Sequence, residues 1–154
     1  MSASKSPGKS VNAVSIEQDG AIAILRLNRP HKRNALADDM VAAIDVYLST
    51  LPEDVRAIII TGTGEHFCAG LDLSELKDRD AVQGMHHSRS WHRVFEKIQF
   101  GRVPVVAVLQ GAVIGGGLEL ACAAHIRVAE ASTFCPRASA AFLSAVAVRR
   151  ACPG

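Results

Sequence analysis

Apolar and polar positions in the first part of the chain follow the period of strands and then that of a helix. The β-prone runs Val14–Gln18 and Ala21–Leu27 flank Asp19–Gly20, and an Asp-Gly pair between such runs predicts a β-hairpin. From Leu36 to Leu48 the apolar residues recur at helical spacing, which predicts a helix with one buried stripe.

Further along, short apolar runs alternate with longer helical stretches. The run Ala57–Ile60 predicts a strand covered on both faces, and the runs Val103–Leu109 and Ile126–Ala129 predict further strands. Residues 74–100 are predicted to be helical in at least two pieces divided near Gly84, and Gly116–Ala124 is predicted to form another helix. This alternation predicts an α/β fold with helices packed on a sheet.

Composition and charge narrow the class of protein. The chain has 154 residues and a formal net charge of +2, which predicts one domain and argues against nucleic-acid binding. No apolar run reaches transmembrane length, so we expect no membrane association. Residues 1–12 are expected to be a disordered lead-in without a secretory signal. The four cysteines lack Cys-x-x-Cys spacing, which indicates a reduced, cytoplasmic protein.

Some residues permit a chemical role that their context does not favour. His86, His87 and His92 share one predicted helix, but they lack a carboxylate or cysteine partner at metal-ligand spacing, so we expect no metal site. Cys68 lies in a glycine-rich loop and could be a nucleophile. A buried filler is the favoured interpretation, because no base is paired with it.

Two glycine-rich segments carry the strongest chemical signal. Residues 62–73, GTGEHFCAGLDL, follow one predicted strand, and residues 110–120, QGAVIGGGLEL, follow another and open a helix. Three consecutive glycines are costly to order, so they usually mark a close approach of the backbone. The carboxyl ends of neighbouring parallel strands meet at one sheet edge, where N–H groups from both loops can form an oxyanion hole. Glu119 adds a carboxylate in the first helical turn.

Three segments in this order resemble the crotonase superfamily, the enoyl-CoA hydratase/isomerase family. They are LNRP at 27–30 with NAL at 34–36, FCAGLDL at 67–73, and GAVIGGGLELA at 111–121. The resemblance runs from about residue 14 to residue 134. It implies an α/β crotonase-like spiral of ββα units, of which only the N-terminal portion would be present, and an acyl-CoA thioester as the small-molecule partner.

The resemblance also implies roles for individual residues. The thioester oxygen would accept hydrogen bonds from the N–H groups of Ala69 and Gly116, and Glu119 would be one of two glutamates that activate and deliver water. Coenzyme A is part of the substrate, so no separate cofactor is implied. Its predicted contacts lie in the turn and the two loops: Lys32, Arg33, Ala35, Leu36, Gly70, Leu71, Asp72, Leu73 and Gly115.

Each of these roles has a plainer alternative. Glu119 could be an ordinary acid that the helix dipole favours at a helix start. Asp72 could cap the helical turn that follows it. Lys32 and Arg33 could be solvated surface charges.

The resemblance stops after Phe134. Arg137 follows Pro136 where a second glutamate is expected, and residues 135–154 contain no acidic residue. Back-translated with GC-rich codons and read one base out of frame, residues 136–149 become PEGQRGIFVGGGGS, which resembles a normal crotonase continuation. We interpret residues 13–134 as an incomplete crotonase-like domain and residues 135–154 as a non-homologous tail produced by a frameshift.

The expected activity of the intact parent is the hydration of a 2-enoyl-CoA in fatty-acid β-oxidation, in a homotrimer or hexamer. Two alternatives remain open. The chain could be a catalytically inactive fragment or pseudoenzyme, which the missing second glutamate favours for the chain as it stands. It could also belong to a member with another reaction, either enoyl-CoA isomerisation or acyl-CoA hydrolysis.

Overall fold

The structure is a computed structural model that describes residues 10–11, 13–75, 81–135 and 146–149. Two short 3₁₀ turns, Pro30–Lys32 and Leu73–Glu75, lie between the regular elements. The helices are α1 (Asp38–Ser49), α2 (Ala81–Gln99) and α3 (Gly116–Ala123). The strands are β1 (Ser10–Val11), β2 (Val14–Asp19), β3 (Ile22–Leu27), β4 (Ala57–Gly62), β5 (Val105–Leu109), β6 (Ile126–Glu130) and β7 (Val146–Arg149).

In the described residues these strands form one sheet, and their order in the sheet is their order in the sequence. The pairs β1–β2 and β2–β3 are antiparallel, so the predicted hairpin is confirmed. All pairs from β3 to β7 are parallel, and α1, α2 and α3 each follow one of the strands β3, β4 and β5. The α/β alternation is therefore confirmed, and the carboxyl ends of β3, β4 and β5 share one edge.

One face of the parallel strands is buried, and the other face is only half-buried. On the second face, Ile24, Ile59 and Val106 are all intermediate in exposure, so the prediction that the strand Ala57–Ile60 is covered on both faces is wrong for the described residues. The physical reason is that alternate side chains turn to opposite faces, so an unbroken apolar run shows that both faces are apolar but not how many are covered. The buried face carries Ala23, Leu25, Leu27, Ile58, Ile60, Val105, Ala107 and Leu109.

Helix α2 contacts both α1 and α3. It runs without interruption from Ala81 to Gln99, so the predicted break near Gly84 is wrong. A glycine inside a helix costs only about 1 kcal/mol relative to alanine, and tertiary packing readily offsets that cost. The packing here comes from Trp91, Val94 and Ile98, which are each less than a tenth exposed.

Polar contacts tie the helices and the loop after α1 together. Lys97 Nζ lies 2.6 Å from Asp45 Oδ1 and 2.6 Å from Ser49 Oγ, which joins α2 to α1. The Arg102 guanidinium donates to the Pro52 carbonyl at 2.7 Å. None of the helices in the described residues is both long and apolar enough to span a membrane.

Helix α1 offers a matched test of its packing, because it carries a buried valine, Val41 (4% exposed), and an exposed one, Val46 (62% exposed). Val41→Ala is expected to lower the free energy of unfolding by about 2 kcal/mol through lost apolar burial. Val46→Ala makes the same change in helix propensity and should stay within about 0.5 kcal/mol of wild type. Urea denaturation measures both, and equal losses would contradict this orientation of α1.

Candidate functional site

The turn after β3 is held against the first glycine-rich loop by one buried amide. Asn34 is fully buried and has a left-handed φ of 55°. Its Oδ1 accepts the Arg29 N–H at 2.9 Å, and its Nδ2 donates to the carbonyls of Thr63 at 2.9 Å and His66 at 2.7 Å. The sequence marked Asn34 only as part of a motif, and this linking role was missed.

A second polar link joins the same turn to Asp72. Arg29 Nη2 lies 2.8 Å from Asp72 Oδ2, and Arg29 Nη1 donates to the Ala35 carbonyl at 2.8 Å. Asp72 Oδ1 accepts hydrogen bonds from the Ser74 hydroxyl at 2.5 Å and the Ser74 N–H at 3.1 Å. The Ser74 hydroxyl and then the Arg29 guanidinium lower the pKa of Asp72 to about 2. Both carboxylate oxygens are thus used within the protein, which fits the capping alternative rather than the predicted coenzyme A contact.

The two glycine-rich loops meet where β4 and β5 end. We call residues 63–72 the first loop and residues 110–115 the second loop. The N–H groups of Phe67 and Cys68 donate to the carbonyls of Gln110 at 2.7 Å and Ala112 at 3.0 Å. The Ile114 N–H returns a bond to the Cys68 carbonyl at 3.0 Å. These bonds extend the parallel pairing of the sheet beyond its edge, so the predicted convergence of the two loops is confirmed.

The glycines at the start of α3 allow this helix to touch the first loop. A Cβ atom at Gly117 would lie 2.5 Å from the Cys68 carbonyl oxygen and 2.7 Å from the Cys68 Cβ, which is too close for any side chain. Gly115 has a φ of 53°, a conformation that glycine adopts at little cost. The close backbone approach predicted from the triple glycine is therefore present.

The main-chain donors differ from those predicted. The Ala69 N–H donates to the Arg33 carbonyl at 3.0 Å, so it is already occupied, and the role predicted for Ala69 needs correction. Among residues 13–75 and 81–135, no acceptor bonds the N–H of Leu71 or of Gly116. The first loop and the start of α3 are in contact here, because a Cβ atom at Gly116 would lie 3.4 Å from Leu71 Cδ2.

Cys68 is completely buried. Burial raises the pKa of its thiol to about 12, against a smaller opposite effect of the backbone at Gly70 and Leu36. A thiol of this kind stays protonated and cannot act as a nucleophile at neutral pH. The structure therefore supports the interpretation of Cys68 as a core residue.

The other predicted site residues are of two kinds. Ala35 and Leu36 are buried in the turn, where the Leu36 N–H donates to the Gly70 carbonyl at 2.8 Å. Gly70 is also buried, and its φ is 98°. The exposed residues around the loops are Lys32, Arg33, Leu71, Leu73, Gly115 and Glu119.

No group of three potential metal ligands occurs among the described residues. His92 is exposed on α2, and the side chains of His86 and His87 lie outside the described residues. In the loops themselves, the structure shows main-chain N–H groups, and Glu119 follows Gly116 by three residues in α3.

Comparisons with known proteins agree with this architecture. A family model described as enoyl-CoA hydratase/isomerase matches residues 17–140. The short-chain-enoyl-CoA hydratase of Clostridium acetobutylicum is 34% identical over 125 residues, which cover 79% of this chain and 48% of that protein. The peroxisomal Δ(3,5)-Δ(2,4)-dienoyl-CoA isomerase of Arabidopsis thaliana is 32% identical over 140 residues, which cover 82% of this chain and 50% of that protein.

Solved structures match as well. A candidate enoyl-CoA hydratase from Rhodopseudomonas palustris superposes with a TM-score of 0.76 at 58% identity, over 80% of this chain and 49% of that chain. An enoyl-CoA hydratase from Thermoplasma volcanium superposes with a TM-score of 0.76 at 35% identity, over 80% of this chain and 50% of that chain. The chain spans about half the length of the relatives it matches.

The contact between α3 and Cys68 predicts different outcomes for two neighbouring glycines. Gly117→Ala is expected to destabilise the protein by about 1–3 kcal/mol, because its Cβ meets rigid backbone. Gly116→Ala should cost less, since its Cβ would meet only the movable end of the Leu36 side chain at 3.3 Å and that of Leu71. Urea denaturation measures both variants. A Gly117→Ala variant as stable as Gly116→Ala would contradict the contact.

The ion pair of Asp72 predicts a pH-dependent stability. Folding lowers the pKa of Asp72 to about 2. The ionised carboxylate therefore stabilises the folded protein at pH values above about 4, and this stabilisation is lost as the pH falls from about 4 to 2. Asp72→Asn is therefore expected to cost about 2 kcal/mol at pH 7 and much less near pH 2. Urea denaturation of the variant and the wild type between pH 7 and pH 2 measures this difference in the free energy of unfolding. The exposed Asp19→Asn variant is the control and should match wild type at pH 7.

Proposed function

The chain belongs to the enoyl-CoA hydratase/isomerase family, and from that premise we propose that it binds an acyl-CoA thioester where β4 and β5 end. Solved structures over 80% of the chain confirm the predicted fold class, the N-terminal portion of the crotonase-like fold. Because the chain spans about half of the relatives described above, the activity and the substrate stated here are our proposal.

The observation that carries the proposal is the pair of open main-chain donors at Leu71 and Gly116. Leu36 pairs with Leu71 in a parallel bridge through the Gly70 carbonyl and the Asp72 N–H. Since peptide groups alternate in direction along a strand, the Leu71 N–H points away from Leu36. The Gly116 N–H is open because it begins α3. We infer that these two groups bind the thioester oxygen and stabilise the charge that develops on it.

Glu119 is the carboxylate that we assign to proton transfer. It lies one helical turn after Gly116, and residues three apart share a helix face. The reaction proposed for the intact parent is hydration of a 2-enoyl-CoA, in which an acid or base must move a proton at the carbon next to the thioester. The exposed cations Lys32 and Arg33 are suited to the phosphates of coenzyme A.

A second candidate reaction is a proton shift that needs only one acid–base group, as in enoyl-CoA isomerisation. The observation that favours it is that Asp72, the buried acid of the first loop, is fully engaged by Arg29 and Ser74. Hydration must activate water as well as move a proton, and a second carboxylate would normally share that work. An inactive chain that only binds the thioester is the third possibility.

We propose a cytoplasmic location for the protein. The cysteines that the structure describes, Cys68, Cys122 and Cys135, are unpaired, which is compatible with the predicted cytoplasmic location. Acyl-CoA is the proposed small-molecule partner. The homotrimer or hexamer expected for the intact family also stays a prediction.

The frameshift in residues 135–154 remains our proposal as well. The family model matches residues up to 140, which lies past the predicted end of the resemblance at Phe134. Strand β7 lies within the tail and pairs with β6. Sequencing the DNA across codons 130–140 tests the idea. A frame with no base gained or lost, and without a homologous reading frame behind it, would refute it.

Purified protein assayed with crotonyl-CoA and with butyryl-CoA in D₂O separates these possibilities. Hydration removes the absorbance of the conjugated double bond, whereas α-proton exchange of butyryl-CoA, followed by NMR, needs only one base. We expect Glu119→Gln to reduce either activity by about 10²- to 10⁴-fold while thioester binding persists. Glu96→Gln, on an exposed face of α2, is the control and should behave as wild type.

Binding without either reaction would identify the chain as the inactive alternative. A wild-type protein that binds neither thioester would contradict the proposed site itself. Activity that survives in Glu119→Gln would show that another group moves the proton.

A further inference from the structure

We propose that His66 is a positioning residue, whose neutral imidazole keeps the second loop in register with the first, and this proposal rests on the proposed thioester site. The His66 Nδ1 lies 3.1 Å from the N–H of Ala112. A backbone N–H can only donate, so Nδ1 is the unprotonated ring nitrogen and the proton is on Nε2. His66 was missed as a site residue because the sequence shows only a single loop histidine.

The imidazole replaces a main-chain acceptor that is in use elsewhere. In regular parallel pairing, the Ala112 N–H would bond the His66 carbonyl, because the Ala112 carbonyl already accepts the Cys68 N–H. The His66 carbonyl instead accepts the Asn34 amide at 2.7 Å. The His66 side chain therefore accepts the Ala112 N–H, while the His66 carbonyl accepts the Asn34 amide that holds the turn.

The replacement sits at a break in the pairing. The Phe67 N–H bonds Gln110 and the next N–H, that of Cys68, bonds Ala112, so Gly111 is an extra residue in the second loop. Such an extra residue is a β-bulge, and the φ of 52° at Gly111 is typical of one. A bulge leaves the ladder locally disrupted, so the bond from Ala112 to His66 adds a side-chain link at the bulge to the main-chain bonds of Cys68 with Ala112 and Ile114, and together they fix the offset between the loops.

Gly111 and the imidazole also fit closely. A Cβ atom at Gly111 would lie 2.5 Å from His66 Nδ1 and 2.2 Å from the Glu65 carbonyl oxygen. The ring is thus packed directly against the bulge. Ala112 begins the segment that leads to Gly116, so the offset that His66 fixes also sets where the Gly116 N–H stands relative to Leu71.

The chain contains a matched control for this bond. His125 Nδ1 accepts the N–H of Val105 at 3.1 Å, the same distance as in the bond of His66. Val105 begins β5, whereas Ala112 follows its end, so the two bonds lie at opposite ends of the same strand. Loss of the His125 bond should affect stability alone, because it is remote from the loops.

The experiment compares His66→Leu, His66→Asn and His125→Leu with the wild type. Asparagine keeps an acceptor oxygen near the position of Nδ1, whereas leucine removes it. The thioester carbonyl stretch of bound crotonyl-CoA, measured by difference infrared spectroscopy, reports the hydrogen bonds to its oxygen. We expect His66→Leu to lose most of the red shift and to bind at least 10-fold more weakly, His66→Asn to recover both, and His125→Leu to resemble wild type.

Amide hydrogen exchange keeps this inference separate from the proposed function. The Ala112 amide should exchange at least 10-fold faster in His66→Leu without any ligand, and the Val105 amide should do so in His125→Leu. If wild type shows no red shift, the thioester proposal fails, and unchanged Ala112 exchange in His66→Leu overturns the role of His66. Equal loss of red shift in His66→Leu and His125→Leu also overturns it, since general destabilisation would then explain both.

Discussion

The hydrogen bonds that carry the β4–β5 pairing past the edge of the sheet are the interaction on which the rest of the site depends. Phe67 and Cys68 bond the second loop, and α3 rests on the Cys68 backbone through Gly117. Parallel strands end at one edge, but their loops diverge unless something pairs them. Here main-chain bonds do so, and donors held in this way need no reorganisation when charge develops on a ligand.

Irregular backbone exposes polar groups that the sheet no longer satisfies, and buried polar groups need partners. Three side chains of the turn and the first loop supply them. Asn34 bonds the carbonyls of Thr63 and His66, Arg29 bonds Asp72 and the Ala35 carbonyl, and His66 bonds the N–H of Ala112. These side chains supply hydrogen bonds to the loop backbone, as neighbouring strands do within the sheet. They therefore belong to the architecture of the site although they need not touch a ligand.

Much of the fold could be predicted because its signals are local. Alternating and helical periods located the hairpin, α1, β4, β5 and α3, since the buried face of each element repeats along a few residues. The predicted break near Gly84 was wrong because the low helix propensity of one glycine is a small effect beside the packing of Trp91 and Ile98. The prediction that β4 is covered on both faces was wrong because an unbroken apolar run does not show how many faces of a strand other elements cover.

The site was predicted less completely, for a different reason. The glycine-rich loops were visible in the sequence, since their composition reflects close contact. The sequence did not show which N–H groups are open. The Ala69 N–H bonds the carbonyl of Arg33, which is far away in sequence, whereas the Leu71 N–H has no acceptor among the described residues. The bonds of Asn34 and His66 span about 30 and 46 residues, and no local pattern encodes them.

Main-chain donors and a side-chain acid can be gained or lost independently. Any residue except proline supplies an N–H at positions 71 and 116, provided that the loops keep their register, whereas Glu119 can be removed by one substitution. On the proposed function, the arrangement would therefore bind and polarise a thioester even where it moves no proton. In our proposal, His66, which helps to set the register of the loops, and Asn34, which holds the turn, would therefore affect binding of the thioester, whereas Glu119 would affect only the reaction of the bound thioester.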